Sequence, residues 1–336
     1  MRCPTLSELP PPPPHRVGFP WTEETPQQVE SISYAQLSPK ISIVTPSYNQ
    51  GKFIEETIRS VLLQGYPNLE YIIVDGGSTD NTIDVIKKYE SYLKYWVSEP
   101  DRGQSHALNK GIDHVTGDVF TFVNSDDLLV PNALQRVSNH FCDPAFSWVF
   151  SGGLLQVDEC GKLLREITDL PSISWEELVM AKRYQPQSGT FWRTQAFDVV
   201  GRFREDLHYF FDQEFFIRLL MHYQLKTAEG IFTQVRFHSE AKSYQSNLSC
   251  SKEKHDVLLE FLPKVQTDWS SKFLSYRLIR LSYIIDMVAA TKEMNLMKKL
   301  FLLVRTPISW TSPTSIKRVL LSDNRPIPLE GLDAPR

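Results

Sequence analysis

The stretch Ile41-Ser42-Ile43-Val44-Thr45-Pro46-Ser47-Tyr48-Asn49-Gln50-Gly51-Lys52 reads as a buried strand that runs into a polar turn. Phe53, Ile54, Thr57, Ile58, Val61 and Leu62 then recur at helical spacing, and Gly65 and Pro67 end that helix. Tyr71-Ile72-Ile73-Val74-Asp75 is a second apolar run, and Ser78, Thr79 or Asp80 can cap a helix carrying Ile83, Val85 and Ile86. A third strand is expected at Tyr95–Val97, a helix from about Gln104 to His114 and a fourth strand at Val119–Val123. Alternation of this kind predicts an α/β fold in which a mixed, mostly parallel sheet is flanked by helices.

Beyond Pro131 the order loosens. A helix to Phe141, a strand near Trp148–Phe150, a hairpin around Asp158–Gly161, a helix over Asp212–Tyr223 and a closing strand Ile231–Phe237 are expected. The predicted organisation is a leader over residues 1–38, a catalytic α/β domain over 39–245 and a helical region over 246–336. The leader carries Pro10 to Pro14, Pro20 and Pro26, a composition suited to an extended, unpacked segment; Phe19-Pro20-Trp21 is the part able to dock. Between Lys272 and Arg325 ten Lys or Arg face three acidic residues, Asp286, Glu293 and Asp323. Amphipathic helices there, carrying Leu278–Val288 and Leu296–Leu302, can pack on the core or lie on an anionic membrane surface.

The 336 residues are 41% hydrophobic, 23% charged and 12% aromatic, which excludes a collagenous or wholly disordered chain. A net charge of -4 provides no global attraction to nucleic acid. The four cysteines make no CxxC pair, so a reducing compartment is the simpler expectation. No apolar signal region precedes the proline run and no stretch of 18 apolar residues occurs, so a cytoplasmic location is expected, with peripheral contact at the inner membrane face. No GxGxxG follows any predicted strand, which disfavours a dinucleotide-dependent oxidoreductase.

In an open sheet, ligands bind beyond the carboxyl ends of the strands. Those ends are Thr45-Pro-Ser-Tyr-Asn49, Asp75-Gly-Gly-Ser-Thr-Asp80, Glu99-Pro-Asp-Arg-Gly103 and Asn124-Ser-Asp-Asp127. Asp75 can accept hydrogen bonds from a base or ribose beside two glycines that admit a ligand, or it can cap the next turn. Asp126 and Asp127 suffice to share a Mg²⁺ or Mn²⁺ with diphosphate oxygens; the alternative is an Asx turn leading to the next helix. Asp101, Arg102, Gly103, Asn109 and Lys110 lie on and before a helix whose first turn can present N–H groups to phosphate, although a lysine on a helix face is commonly just solvated. Asp212 opens a helix, where it can cap that helix or face the cleft.

These segments resemble the family 2 glycosyltransferases of the GT-A fold, over about Lys40 to Tyr244. The resemblance rests on ISIVTPSYNQGKFIEETIRSVLLQ, YIIVDGGSTDNT, DRGQSHALNKGI, VFTFVNSDD and FFDQEFFIRLL, in that order. It implies an inverting transfer of sugar from a nucleotide-diphosphate sugar to a carbohydrate or lipid-linked acceptor in bacterial surface polysaccharide or glycolipid synthesis, assisted by Mn²⁺ or Mg²⁺. Asp75, Pro46 and Tyr48 would line the nucleotide pocket. Ser78, Asp101, Arg102, Gly103, Asn109, Lys110, Asn124, Ser125 and Asp126 would meet the donor, Asn124 standing where many members have a first Asp. Asp126, Asp127 and His238 would hold the metal. Asp212 fits the place of the catalytic base, with Phe211 replacing the usual preceding acid, and Glu214 is the second candidate. Lys242 can assist the leaving group from a loop. A sugar nucleotidyltransferase is the rival enzyme class, disfavoured by a first loop with one glycine and one lysine. A non-catalytic carbohydrate-binding relative is the rival outside enzymes.

Overall fold

The computed structural model describes residues 3–27, 38–142, 148–242 and 248–290. The strands are β1 (Ile41–Ser47), β2 (Leu69–Asp75), β3 (Tyr95–Ser98), β4 (Val119–Phe122), β5 (Leu128–Leu129), β6 (Val149–Asp158), β7 (Leu163–Ile167), β8 (Thr190–Arg193) and β9 (Leu225–Phe237). The helices are α1 (Ile54–Leu62), α2 (Thr82–Tyr89), α3 (Gln104–Ile112), α4 (Ala133–Phe141), α5 (Trp175–Val179), α6 (Ala196–Val200), α7 (Phe211–His222), α8 (Leu248–Phe261) and α9 (Trp269–Ala290).

All nine strands form one sheet in the order β3-β2-β1-β4-β8-β6-β9-β5, with β7 beside β6. The β1–β2, β1–β4, β2–β3 and β6–β9 pairs are parallel. The β4–β8, β5–β9, β6–β7 and β6–β8 pairs are antiparallel. The sheet is thus mixed in equal measure rather than mostly parallel. The departure comes from β8, only four residues long, which inserts between β4 and β6 and reverses the direction of the ladder. Every residue of β1, β2 and β4 is buried, as strands covered on both faces must be.

One face packs Ile41, Ile43, Tyr71 and Ile73 against α1, α2 and α4. The other packs Val44, Ile72, Phe120 and Phe122 against α3, α7 and the C-terminal helices. On α7, Phe211, Phe215 and Leu219 repeat every four residues and bury themselves, with Phe215 against Phe203 and Trp192. That packing fixes which side of α7 meets the core.

The leader departs from the unpacked segment its prolines suggest. Arg59 of α1, with no exposed surface, donates from Nε to the Pro20 carbonyl (2.9 Å), from Nη1 to Pro10 (2.9 Å) and from Nη2 to Trp21 (3.1 Å). Cys3, Leu9 and Trp21 are buried on that face. Extended proline-rich backbone leaves its carbonyls free, and a buried guanidinium with its fork of donors needs acceptors.

The C-terminal helices also join the core, through Val257, Leu258, Phe261, Leu262, Val265 and Ile279. Among the described residues no helix is long and apolar enough to cross a membrane. Residues 291–336, with the expected Leu296–Leu302 helix, lie outside the described residues.

Candidate active site

The ends of β1, β2 and β3 are in register, Ser47 beside Asp75 and Asp75 beside Ser98. Asp75 is buried, and its carboxylate accepts from Gly77 N (3.1 Å), Ser78 N (2.8 Å), Ser78 Oγ (2.5 Å) and Ser98 Oγ (2.7 Å). The turn-capping alternative is therefore realised, and Ser78 serves the same turn, its Oγ also accepting from Asn49 N (2.7 Å). Asn49 Oδ1 accepts from Thr79 N, and Thr82 Oγ1 accepts from Gln50 N, both at 2.8 Å. The first two loops are thus tied into one rigid rim. Pro46 is buried within β1 opposite Val74, so it backs this rim rather than lining open space. Tyr48 projects from it, 61% exposed.

The third loop is folded onto the second. Asp101 Oδ1 accepts from Gly103 N at 2.7 Å, and its other oxygen lies 2.7 Å from where a Cβ on Gly76 would sit, which is why that position has no side chain. Arg102 is ion-paired with Glu205, and Lys110 with Glu99 at 2.8 Å. Asn109 is committed elsewhere: its amide exchanges hydrogen bonds with the Phe203 backbone (2.9 and 3.1 Å) and donates to Glu205 Oε1 (3.0 Å). The structure thus gives Asn109 a packing task behind α3 in place of the expected donor contact.

After β4 the chain turns sharply and separates its two aspartates. Asp127 is buried: Oδ1 accepts from Arg236 N (3.1 Å), and Oδ2 accepts from Ser188 Oγ (3.0 Å) and Asn124 Nδ2 (3.1 Å). Burial, followed by the charge of Asp126, pushes its carboxyl up. An inward carboxylate with three donors already around it does not fit a metal ligand, which corrects the expectation for Asp127. Asp126 points the other way and meets His238, Oδ2 to Nε2 at 2.9 Å. Asn124 bridges outward as well, its Oδ1 accepting from Gln104 Nε2 at 2.8 Å, while Ser125 is buried in the turn.

Arg236, which no motif singled out, holds this region together. Its side chain donates to the Asp126 carbonyl (3.2 Å), the Glu159 carbonyl (3.0 Å) and Glu56 Oε2 (2.9 Å). The only hint in the sequence was its place two residues before His238 on the closing strand.

Among the described residues no three His, Cys, Asp or Glu side chains converge on one point. A Mg²⁺ or Mn²⁺ needs only one or two protein ligands when phosphate oxygens and water complete its octahedron. Asp126 with His238 fits that requirement, and the second oxygen of Asp126 bonds to no other described residue.

Asp212, in the first turn of α7, is held by the Gln213 N–H (Oδ1, 2.7 Å) and the Tyr184 hydroxyl (Oδ2, 3.1 Å). Burial pushes its carboxyl up to about 6, against the hydrogen bonds that pull it down. Glu214 does not share that setting. It is buried on another side of the helix, and both its oxygens accept from Arg218 at 2.8 Å, so the structure removes it as a catalytic candidate.

Two further elements join Asp212 to the strand-end loops. Lys242 Nζ reaches Gln104 Oε1 (3.2 Å) and the His208 carbonyl (3.4 Å); burial lowers its pKa, while the charges of Asp101, Glu253 and Asp212 oppose that shift. The segment 184–188 is bonded at one end to Asp212 through Tyr184 and at the other to Asp127 through Ser188. Its end Cα atoms are separated by at most ~14 Å. One short stretch of chain therefore ties Asp212 to the turn that bears Asp126 and Asp127.

The sequence profile of the glycosyl transferase family 2 matches residues 42–153. An uncharacterized glycosyltransferase of Mycobacterium tuberculosis (strain H37Rv) is 30% identical over 188 residues, covering 54% of this chain and 69% of that protein. TuaG of Bacillus subtilis (strain 168), named as a candidate teichuronic acid biosynthesis glycosyltransferase, is 31% identical over 142 residues, covering 41% of this chain and 56% of TuaG. The crystal structure of residues 1–349 of S. aureus TarS has the same fold, with a TM-score of 0.57 at 17% identity over 83% of this chain and 81% of that one. The strand-end loops that build the cleft fall within the matched segment, and the chain belongs to glycosyl transferase family 2.

Proposed function

We propose that this chain is an inverting glycosyltransferase of GT-A architecture. It moves a sugar from a nucleotide-diphosphate sugar to an acceptor hydroxyl in the synthesis of a bacterial surface polysaccharide or glycolipid. The observation that carries this reading is segment 184–188, which hydrogen-bonds Asp212 and the turn bearing Asp126 from one short stretch of chain. That tie supports a base for the acceptor and a site for the departing diphosphate close to each other. The name of TuaG supports the polysaccharide assignment.

In the proposed mechanism Asp212 accepts the proton of the acceptor hydroxyl as its oxygen bonds to the anomeric carbon. The bond from that carbon to the diphosphate oxygen breaks on the opposite side, and the electron pair leaves with the diphosphate. A carboxylate raised to about 6 is ionised at neutral pH and still basic enough to take the proton. Asp126 and His238 would hold a divalent cation, which when bound neutralises charge on the diphosphate. Lys242 adds a cation on the same side. Tyr48 and the rim that Asp75 braces would receive the nucleotide.

The C-terminal helices carry a second part of the proposal, peripheral contact with the cytoplasmic membrane face. Phe273, Leu274, Tyr276 and Leu278 are exposed on α9, a helix that also bears Lys272, Arg277 and Arg280. Co-flotation with anionic liposomes supports that contact, and its absence removes it.

The test of the enzymatic reading is thermal stabilisation by a panel of nucleotide diphosphates and nucleotide sugars, each with and without Mn²⁺. TarS structures with UDP-GlcNAc and UDP place uridine nucleotides first in the panel. A ligand at a hundredfold excess over its dissociation constant stabilises the native state by about 2.7 kcal/mol. A shift that needs both nucleotide and metal supports the reading; no shift with any member of the panel overturns it.

A further inference from the structure

Tyr184 combines two properties that rarely occur together. The residue is 52% exposed, yet its hydroxyl is fixed to a carboxylate, donating to Asp212 Oδ2 at 3.1 Å. The next residue explains how an exposed side chain is held in place. Gln185 is buried, and its backbone forms a two-way pair with the side chain of Gln213, the residue after Asp212: Gln185 N donates to Gln213 Oε1 (3.1 Å) and Gln213 Nε2 donates to the Gln185 carbonyl (2.7 Å). The Gln185 side chain is itself anchored, donating from Nε2 to Thr190 Oγ1 (2.8 Å) and Ser151 Oγ (2.9 Å). The following backbone and the hydroxyl are both secured, so the exposed part of Tyr184 is held in place from both ends.

An aromatic face beside a carboxylate suits one ligand chemistry especially well. A pyranose ring presents axial C–H groups on one face and hydroxyls around its edge. The electron-rich face of an aromatic ring attracts the polarised C–H groups, while the adjacent carboxylate accepts from an edge hydroxyl. Because the ring is already immobilised, stacking costs little further side-chain entropy.

We propose that Tyr184 is the acceptor-recognition residue, its exposed ring forming the platform on which a pyranose acceptor stacks so that one hydroxyl is delivered to Asp212. The proposal rests on the reading of Asp212 as the base and narrows the acceptor to one that ends in a sugar ring. Tyr184 touches the acceptor and leaves the donor nucleotide alone.

The test uses the full chain and three simple probes, methyl glucopyranoside, methyl galactopyranoside and methyl N-acetylglucosaminide, observed by saturation-transfer NMR. Wild type is expected to transfer saturation to the C–H protons of at least one of them. Tyr184→Ala is expected to weaken that signal by about fivefold, as loss of a stacked ring does. Tyr184→Phe, which keeps the ring, retains it. The Mn²⁺-dependent thermal shift with UDP stays unchanged in both variants, which also establishes that they are folded. No transfer from wild type to any probe overturns the proposal, as does a Tyr184→Ala signal equal to wild type. Asp212→Asn separates this idea from the one beneath it. If that variant keeps the sugar signal but also keeps full transferase turnover, the base reading fails and the platform stands; if it loses the signal while Tyr184→Ala keeps it, the platform fails.

Discussion

Glu253 of α8 accepts a hydrogen bond from the backbone N–H of Phe210, the residue that opens α7, at 3.1 Å. The same carboxylate accepts from Tyr209 N (2.7 Å) and His208 N (3.0 Å), so one acidic side chain gathers three backbone donors just before Asp212. These N–H groups lie on the residues leading into α7, where a carboxylate also suits the helix N-terminus, and they are satisfied from outside the sheet. The C-terminal helical region is thereby part of the device that places the proposed base.

Glu253→Ala strands those donors in a partly buried setting. The expected cost is about 1–3 kcal/mol, read as a lowered denaturant midpoint, with Glu253→Gln losing less because an amide oxygen still accepts. Turnover should fall more than donor binding, since what loosens is the approach to Asp212. A midpoint identical to wild type would mean that the C-terminal helices merely lie against the core.

Asp212→Asn is expected to lower transfer by about 10²–10⁴-fold while nucleotide binding persists, because a positioned base contributes about that much. In wild type the turnover should fall as pH drops through about 6, where the carboxylate takes up its proton. Tyr184→Phe removes a hydrogen bond that lowers this pKa, so its acidic limb should move to higher pH. Tyr184, Lys242 and Cys250 are the titratable groups whose charges act on this carboxyl or feel it; burial pushes the Tyr184 hydroxyl and the Cys250 thiol up, away from this range, and lowers Lys242. Stability follows with the opposite sense to the usual carboxylate. The folded pKa lies above the unfolded one, so the charged form costs stability that is lost as pH rises from about 4 through about 6. The stability of Asp212→Asn relative to wild type should therefore rise between pH 3 and pH 8, by about 1–3 kcal/mol; paired melts at the two pH values check this.

Asp126 and Asp127, neighbours in sequence, should separate cleanly on substitution. Asp126→Asn is expected to cost little stability, since an amide at this partly buried site can still hydrogen-bond His238, and to abolish the Mn²⁺-dependent part of the nucleotide shift. Asp127→Asn puts an amide donor among the donors Ser188, Asn124 and Arg236 N, and should cost about 1–3 kcal/mol before any nucleotide is added. Equal stability losses in the two variants would contradict the division of roles between them.

The strand-end cleft was legible because β1, β2 and β4 are continuous apolar runs that stop abruptly at polar residues, and a sheet covered on both faces allows few other readings. Asp212 was legible as a residue of a recognised motif without its partner Tyr184, and Asp126 was legible together with His238. What stayed hidden depends on direction rather than identity. Nothing in Asn124-Ser125-Asp126-Asp127 says that one aspartate turns inward and the next outward, since the donors deciding it, Ser188 and Arg236, are distant in sequence. Glu214 and Asn109 look functional by position and are consumed by packing partners elsewhere. β8 escaped because Thr190-Phe191-Trp192-Arg193 is too short to show a period.

The packing of the leader beyond Phe19-Pro20-Trp21 is hidden for a related reason, since composition records what a segment cannot form by itself and is silent on what another element offers it. Arg59 sits amid the apolar spacing of α1, where a charged residue reads as surface, and instead its guanidinium is enclosed by Pro10, Pro20 and Trp21 carbonyls and by the Tyr89 hydroxyl at 3.2 Å. Trp21 stacks on the same group, its ring centroid 5.4 Å away. Arg59→Ala would remove donors from several carbonyls at once and leave a cavity beneath Trp21, with an expected cost of about 2–4 kcal/mol. Arg59→Lys should recover only part of it, because an ammonium cannot span the fork that a guanidinium fills. Limited proteolysis supplies the decisive reading: in wild type, cleavage within residues 3–27 should be slow, and in Arg59→Ala it should become the first event, ahead of any loss of the sheet domain. If the leader of wild type is cut as readily as that of the variant, the Arg59 bonds do not hold it against the domain in solution.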